Sequence, residues 1–146
     1  MNIKDFITEL QYLEGCSIKN CYRKFTGDSD HIPIDIRNEE ADGDIFLSFS
    51  NKIAYRFKAN TEHSSIEIDR IDLNEIPLDS QCISKDDSKF WNSIIGKKIS
   101  NTIIICNKLE HAYGVRFITL DKFQFDFLYL FKSEYDFDSL LIRKSE

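Results

Sequence analysis

No stretch of this 146-residue chain approaches the roughly eighteen consecutive apolar residues that a membrane-crossing helix requires, so no such helix is expected. The N-terminal MNIKDFITEL carries acids where an export signal has a basic stretch and an apolar block, which points to a cytoplasmic protein. Basic residues are also in deficit. The 25 acids against 19 Lys and Arg leave a net charge of −6, and KNCYRK at 19 to 24 is a single small basic cluster, a balance that argues against a nucleic-acid partner. The signatures of catalysis are missing as well: there is no GxSxG elbow, no glycine-rich phosphate loop and no HExxH spacing.

Cysteine is scarce and scattered. Cys16, Cys21, Cys82 and Cys106 are expected to stay reduced in a chain with no export signal, and His31, His63 and His111 are too distant in sequence to complete a zinc set with Cys16 and Cys21. Cys106 ends the apolar run TIIIC, 102 to 106, which shows no alternation and is expected to be covered on both faces. Paired carboxylates such as Glu39 and Glu40 read as a solvated face in so acidic a chain. The expectation is therefore a protein with no metal, no cofactor and no catalytic residue.

What is present is a pattern written twice. ADGDIFLSFS at 41 to 50 is echoed by AYGVRFITLD at 112 to 121, matching Ala41 with Ala112, Gly43 with Gly114, Phe46 with Phe117 and Phe49 with Leu120. Upstream, LEGCSIKN at 13 to 20 is answered by IIGKKISN at 94 to 101, with Gly15 against Gly96, Ile18 against Ile99 and Asn20 against Asn101. Patterns repeated in the same order imply a fold of two related units. The connection from Gly15 to Ala41 exceeds that from Gly96 to Ala112, so an insertion is expected within CYRKFTGDSDHIPIDIRN, residues 21 to 38.

Each unit begins as a helix. Ile3, Phe6, Ile7, Leu10 and Leu13 recur at helical spacing, with Asp5 suited to the first turn, until Gly15 stops the run. In the second unit Ser84 with Asp87 resembles a capping box, and Phe90, Trp91, Ile94 and Ile95 form an apolar face ending at Gly96. Gly43 and Gly114 read as turn or strand-entry residues whose backbone needs freedom. Period-two alternation then takes over: Ile53, Tyr55 and Phe57 oppose Arg56 and Lys58, and Phe123, Phe125, Phe127 and Tyr129 oppose Gln124 and Asp126. Such strands have one wet face, and SNK at 50 to 52 and LDK at 120 to 122 are turn-forming links, so each unit contains a hairpin of an antiparallel sheet. With 42% hydrophobic residues, including twelve Phe, the chain can bury about two thirds of its unfolded surface as one domain. The fold class expected is α+β: an antiparallel sheet with two helices, residues 1–146 as a single domain of two tandem helix-then-strands units, 1–71 and 84–143, joined by an acidic connector, 72–83.

The acids are unevenly placed. Between Asp28 and Asp44 seven acids face the single base Arg37, and between Glu62 and Asp87 eight face Arg70 and Lys85. A concentrated negative surface speeds encounter with a basic partner and fixes its orientation. The residues expected to form that surface are Asp35, Glu39, Glu40, Asp42 and Asp44 on an exposed edge, with Asp69, Asp72 and Glu75 of IDRIDLNE, 68 to 75, as a second contact.

A small acidic chain with a helix, the helix-stop and strand of IIGKKI, and a glycine and hairpin such as GVRFITLDKFQFDF resembles the immunity proteins of bacterial contact-dependent growth inhibition and related polymorphic toxin systems. The resemblance covers both units and is one of pattern. It implies a non-enzymatic protein that binds a cognate toxin domain, commonly a basic nuclease, and masks its active site. The alternative reading is a ligand-sensing or regulatory protein-binding domain that uses the cleft between the two units, and a small enzyme is a third.

Overall fold

A nine-residue helix, α1 (Ile3–Gln11), opens the chain and runs into a turn that ends at Gly15. The computed structural model describes residues 3–24, 40–41, 44–60, 62–76, 82–84, 89–106, 111–130 and 139–144. After α1 come β1 (Ile18–Lys24), β2 (Glu40–Ala41), β3 (Ile45–Phe49), β4 (Ala54–Asn60), β5 (Ser65–Ile71), a 3-10 turn (Leu73–Glu75) and β6 (Cys82–Ser84). Then follow α2 (Lys89–Ile94), β7 (Ile99–Cys106), β8 (Ala112–Thr119), β9 (Gln124–Leu130) and β10 (Ser139–Lys144). Ser84 therefore belongs to a strand, pairing with Tyr22 of β1, rather than to a helix cap.

The class is α+β and mostly sheet, with two antiparallel sheets in place of one. Their strand orders are β5-β4-β3-β1-β6 and β2-β10-β9-β8-β7, each with four strands of five to eight residues and a short fifth at one edge. The physical reason for two sheets is cover. Helices of nine and six residues are too short to shield an apolar face built from eight long strands, so the sheets shield each other. From the first sheet Ile45, Leu47, Phe49, Tyr55 and Phe57 turn inward, and from the second Val115, Phe117, Phe125, Phe127 and Ile142, all of them buried. Phe57 is the bridge, its ring 6.0 Å from Phe117 and 5.1 Å from Phe127. Phe6 and Leu10 of α1 and Trp91 and Ile94 of α2 close the ends of this core, while Ile95 is half-buried against it.

The helix stops meet at one place. Gly15 and Gly96 share the same left-handed φ of 84°. The Gly15 N–H donates to the Ile99 carbonyl (2.8 Å) and the Gly96 N–H to the Ile18 carbonyl (2.8 Å); in return the Ile99 N–H donates to Cys16 (2.9 Å) and the Ile18 N–H to Lys97 (3.0 Å). A Ser17–Lys98 bridge sits between them. β1 and β7 thus start side by side, each with a bulge at its start, Ile18/Asn20 and Ile99/Asn101, and lead into opposite sheets.

The two hairpins, β3 to β4 and β8 to β9, turn at Ser50 to Lys52 and Leu120 to Lys122. Lys52 (φ 68°) and Lys122 (φ 69°) hold left-handed backbone, and in each turn the preceding side chain supports it: Asn51 Oδ1 accepts from the Ile53 N–H at 3.0 Å, Asp121 Oδ1 from the Phe123 N–H at 3.4 Å. The letter-by-letter echo is one residue out of step. Phe49 N–H donates to Ile53 O as Thr119 N–H donates to Phe123 O, so Phe49 corresponds to Thr119, and Leu120 is an exposed turn residue. A slip of one residue reverses every side chain, which is why Phe46 lies outside the inner cluster that contains Phe117.

Three other expectations are corrected. Gly114 is third in β8, at the strand's entry, but without left-handed backbone; what limits it is space, since a Cβ would stand 3.0 Å from the Phe127 carbonyl oxygen and 2.4 Å from Leu128 Cδ2. Asp126, on the face expected to be wet, is fully buried. β7, expected to be covered on both faces, is an edge strand with exposed Ile103 and Cys106. Gly43 and the expected insertion, apart from its start in β1, lie outside the described residues.

Removing the bridging ring should be costly. In chemical denaturation Phe57→Ala is expected to lose about 3 to 5 kcal/mol, and Gly15→Ala or Gly96→Ala about 1 to 2 kcal/mol each from left-handed backbone. Glycine variants as stable as wild type would show that the paired helix stops carry no such constraint.

Candidate partner-binding surface

The register of the first sheet determines where its acids go. Arg56 of β4 pairs with Phe46 of β3 on one side and Asp69 of β5 on the other, so all three share the outer face. Arg56 Nη2 donates to Asp69 Oδ2 at 2.8 Å, and its Nε lies 3.9 Å from Asp44 Oδ2. Lys58 Nζ reaches Asp69 at 3.0 Å and Glu67 at 3.7 Å, and Asn60 Nδ2 donates to Glu67 at 2.8 Å. Asp44 and Asp69 are therefore gathered around one guanidinium. Asp44 immediately precedes β3, an interior strand, and is not on an exposed edge.

The two carboxylates respond in opposite directions. Burial pushes the Asp44 carboxyl above the usual carboxylate range, and its distant pairing with Arg56 does not offset this. Burial acts on Asp69 too, but the hydrogen bonds from Arg56 and Lys58 outweigh it and hold Asp69 below that range. Asp44 is thus a part-buried negative charge with incomplete compensation. The second sheet shows the same row with the signs exchanged: Asp126 of β9 lies between Arg116 of β8 (2.9 Å) and Arg143 of β10 (3.4 Å).

Asp72 and Glu75 lie elsewhere, on the 3-10 turn that follows β5. Both are exposed, and the Asp72 N–H donates to Glu75 Oε1 at 3.3 Å, which holds the turn closed. A shallow groove of about 310 Å³ is lined by Lys52, Ile53, Arg70, Ile71, Asp72 and Glu75. Leu73 of the same turn and Tyr12, on which Arg70 packs, are large side chains each 52% exposed. Arg70 ties the patch together, its guanidinium 4.6 Å from the centre of the Tyr12 ring and its Nη2 donating to Glu9 at 3.2 Å. Tyr12 and Leu73 were not singled out by the sequence, because a helix-end tyrosine and a lone leucine carry no periodic signal.

Asp35, Glu39 and Asp42 lie outside the described residues, and Glu40 is in β2, the edge strand beside β10. Of the eight acids expected to bind a partner, the fold brings Asp44 and Asp69 together at Arg56 and Asp72 and Glu75 together on one turn. Among the described residues no group of three or more His, Cys, Asp or Glu side chains is placed to hold a metal ion, and no helix is long and apolar enough to cross a membrane. His63 and His111 stack on each other with ring centres 5.0 Å apart. No family model, curated protein or solved structure matches the chain.

The two carboxylates of the Arg56 cluster have opposite linkage. Asp44, with its folded pKa raised above 3.8, favours the folded state only when protonated, so its charge costs stability once pH rises above that value. Asp44→Asn should be more stable than wild type at neutral pH, the difference vanishing in acid. Asp69, with its pKa lowered, contributes stability that is present at neutral pH and lost as pH falls below 3.8, so Asp69→Asn should be the less stable variant at neutral pH. Carboxyl-detected NMR titration, with denaturation of both variants across pH, checks the two directions. An Asp44 that titrates below Asp69 contradicts this reading of the cluster.

Proposed function

We propose that the chain is an immunity protein, built from a duplicated helix-then-strands unit, that binds a cognate bacterial toxin domain in the cytoplasm and masks its active site. The observation that carries this reading is the exposed turn that holds Asp72, Leu73 and Glu75, next to Arg70, whose guanidinium packs on the exposed Tyr12 ring. Protein interfaces concentrate their binding energy in a few anchors surrounded by a polar rim, and an aromatic ring with a leucine beside two carboxylates has that composition. The partner it suits is basic, as a nuclease is, because a chain of net charge −6 attracts positive surfaces at long range. Asp44 supports the same reading, since a cation from a partner would supply the compensation that Arg56 leaves incomplete. Such a protein works by occupancy, with no cofactor and no turnover.

The duplication is supported by matched details: two left-handed glycines that each donate to the isoleucine carbonyl of the other unit, Gly15 to Ile99 and Gly96 to Ile18, two bulges at corresponding residues and two hairpins with a left-handed lysine. The ligand-sensing alternative would place its cleft between the units. Phe57, packed against Phe117 and Phe127, fills the centre of that space.

The test is protection and its kinetics. Co-expression with the toxin domain encoded immediately upstream should restore growth. Neutralising Asp72 and Glu75, or separately Glu39, Glu40 and Asp42, should slow association by roughly tenfold or more at low salt. The same changes should flatten the salt dependence of association while leaving dissociation nearly unchanged. No protection by the wild-type chain would refute the proposal, and rates insensitive to salt and to both sets of changes would remove the acidic residues from the interface.

A further inference from the structure

β7 is undefended beyond its start. It is the outer strand of the second sheet, and β8 is its single strand partner among the described residues. Exposed sheet edges invite pairing with another chain, and folded proteins usually guard them with charges, prolines or a covering element. β1, which starts beside β7, has its outer edge covered by β6; β10 has its outer edge covered by β2. β5, the one other edge strand of comparable length among the described residues, holds Glu67, Asp69 and Arg70 within seven residues. β7 is covered at its start, where Ile99 pairs with Gly15 and Cys16, but among the described residues nothing pairs with the edge beyond it, and its eight residues, ISNTIIIC, include no charge and no proline, with Ile103 44% exposed. On the inner side a groove of about 300 Å³ runs beside the strand, lined by Ile7, Leu10, Gln11, Glu14, Thr102 and Ile104, with Ile7 also exposed.

We propose that a second copy of this chain occupies that edge, through its own β7 running antiparallel across a two-fold axis at Ile104. The choice of occupant rests on charge. Two copies at −6 each repel, so a self-interface has to lie where no like charges meet. Antiparallel pairing about Ile104 sets Ile103 against Ile105 and Thr102 against Cys106, a wholly neutral match. The same operation on β5, centred on Ile68, would set Glu67 against Asp69 twice, like charges facing each other. β7 is therefore self-complementary where β5 is self-repelling. The dimer joins two five-stranded sheets into one of ten and brings the exposed Ile7 and Ile103 of each copy to the seam. This surface is separate from the acidic turn and does not depend on the toxin reading.

Sedimentation equilibrium on the full chain should give twice the chain mass at micromolar concentration. Ile103→Lys, a change at an exposed position, should raise the dimer dissociation constant at least tenfold while leaving the far-ultraviolet spectrum unchanged. Thr102→Cys supplies a second readout. Mild oxidation should link the introduced thiol to Cys106 of the partner subunit, as peptide mapping would show, whereas two Cys106 residues in this register are roughly 13 Å apart, too far for a disulfide. A wild-type chain that stays monomeric at high concentration overturns the proposal. So does an Ile103→Lys variant that stays dimeric, or an introduced thiol that fails to link to Cys106.

Discussion

Four backbone hydrogen bonds between residues 15 to 18 and 96 to 99 are the constraint from which the remaining architecture follows. Each contributes only about 0.5 to 1.5 kcal/mol net, yet together they decide geometry. They stop both helices at left-handed glycines and start β1 and β7 side by side, each leading into its own sheet. Once the strands diverge from that seam, the sheets fold face to face and their apolar sides meet. Phe57 can then contact both Phe117 and Phe127, which belong to the other half of the sequence.

The outer faces follow from the same arrangement. With the inner faces committed to the core, the outer faces carry cross-strand charge rows, Asp69–Arg56 with Asp44 in the first sheet and Arg116–Asp126–Arg143 in the second. Those rows are largely neutralised within the chain. Exposed acids also lie in the turns and connections, Asp72 and Glu75 among them, and in the proposed reading a basic partner meets them there.

Local rules made the helix stops and hairpins legible. Gly15, Gly96, and the turns at Asn51 and Asp121 depend on a few neighbouring residues, and the sequence contains all of them. The alternation of Tyr55 with Arg56 and Phe125 with Asp126 identified strands, but alternation cannot say what covers the second face, so Asp126 was expected to be wet and proves buried. Two sheets rather than one is a matter of long-range cover, which no window of sequence contains. The reason for Gly114 was misread because its constraint is the close approach of the neighbouring strand, the Phe127 carbonyl with the Leu128 side chain, rather than its own backbone. The run TIIIC shows the same limit from the opposite side: an unbroken apolar strand is the same string whether it lies in the core or at an open edge, and only topology separates the two. Of the proposed partner surface, the sequence pointed to Asp72 and Glu75 but not to Leu73 on their turn or to Tyr12, on which Arg70 packs.

Native-state hydrogen exchange of the amides of Gly15, Ile18, Gly96 and Ile99 tests the role of the seam most directly. If these four bonds hold the two halves in place, the amides should be among the slowest in the chain and should open with one common free energy close to that of global unfolding. Exchange of one pair through a low-energy local opening, with the Phe57 core still protected, would show that the sheets assemble without the seam and would contradict the account.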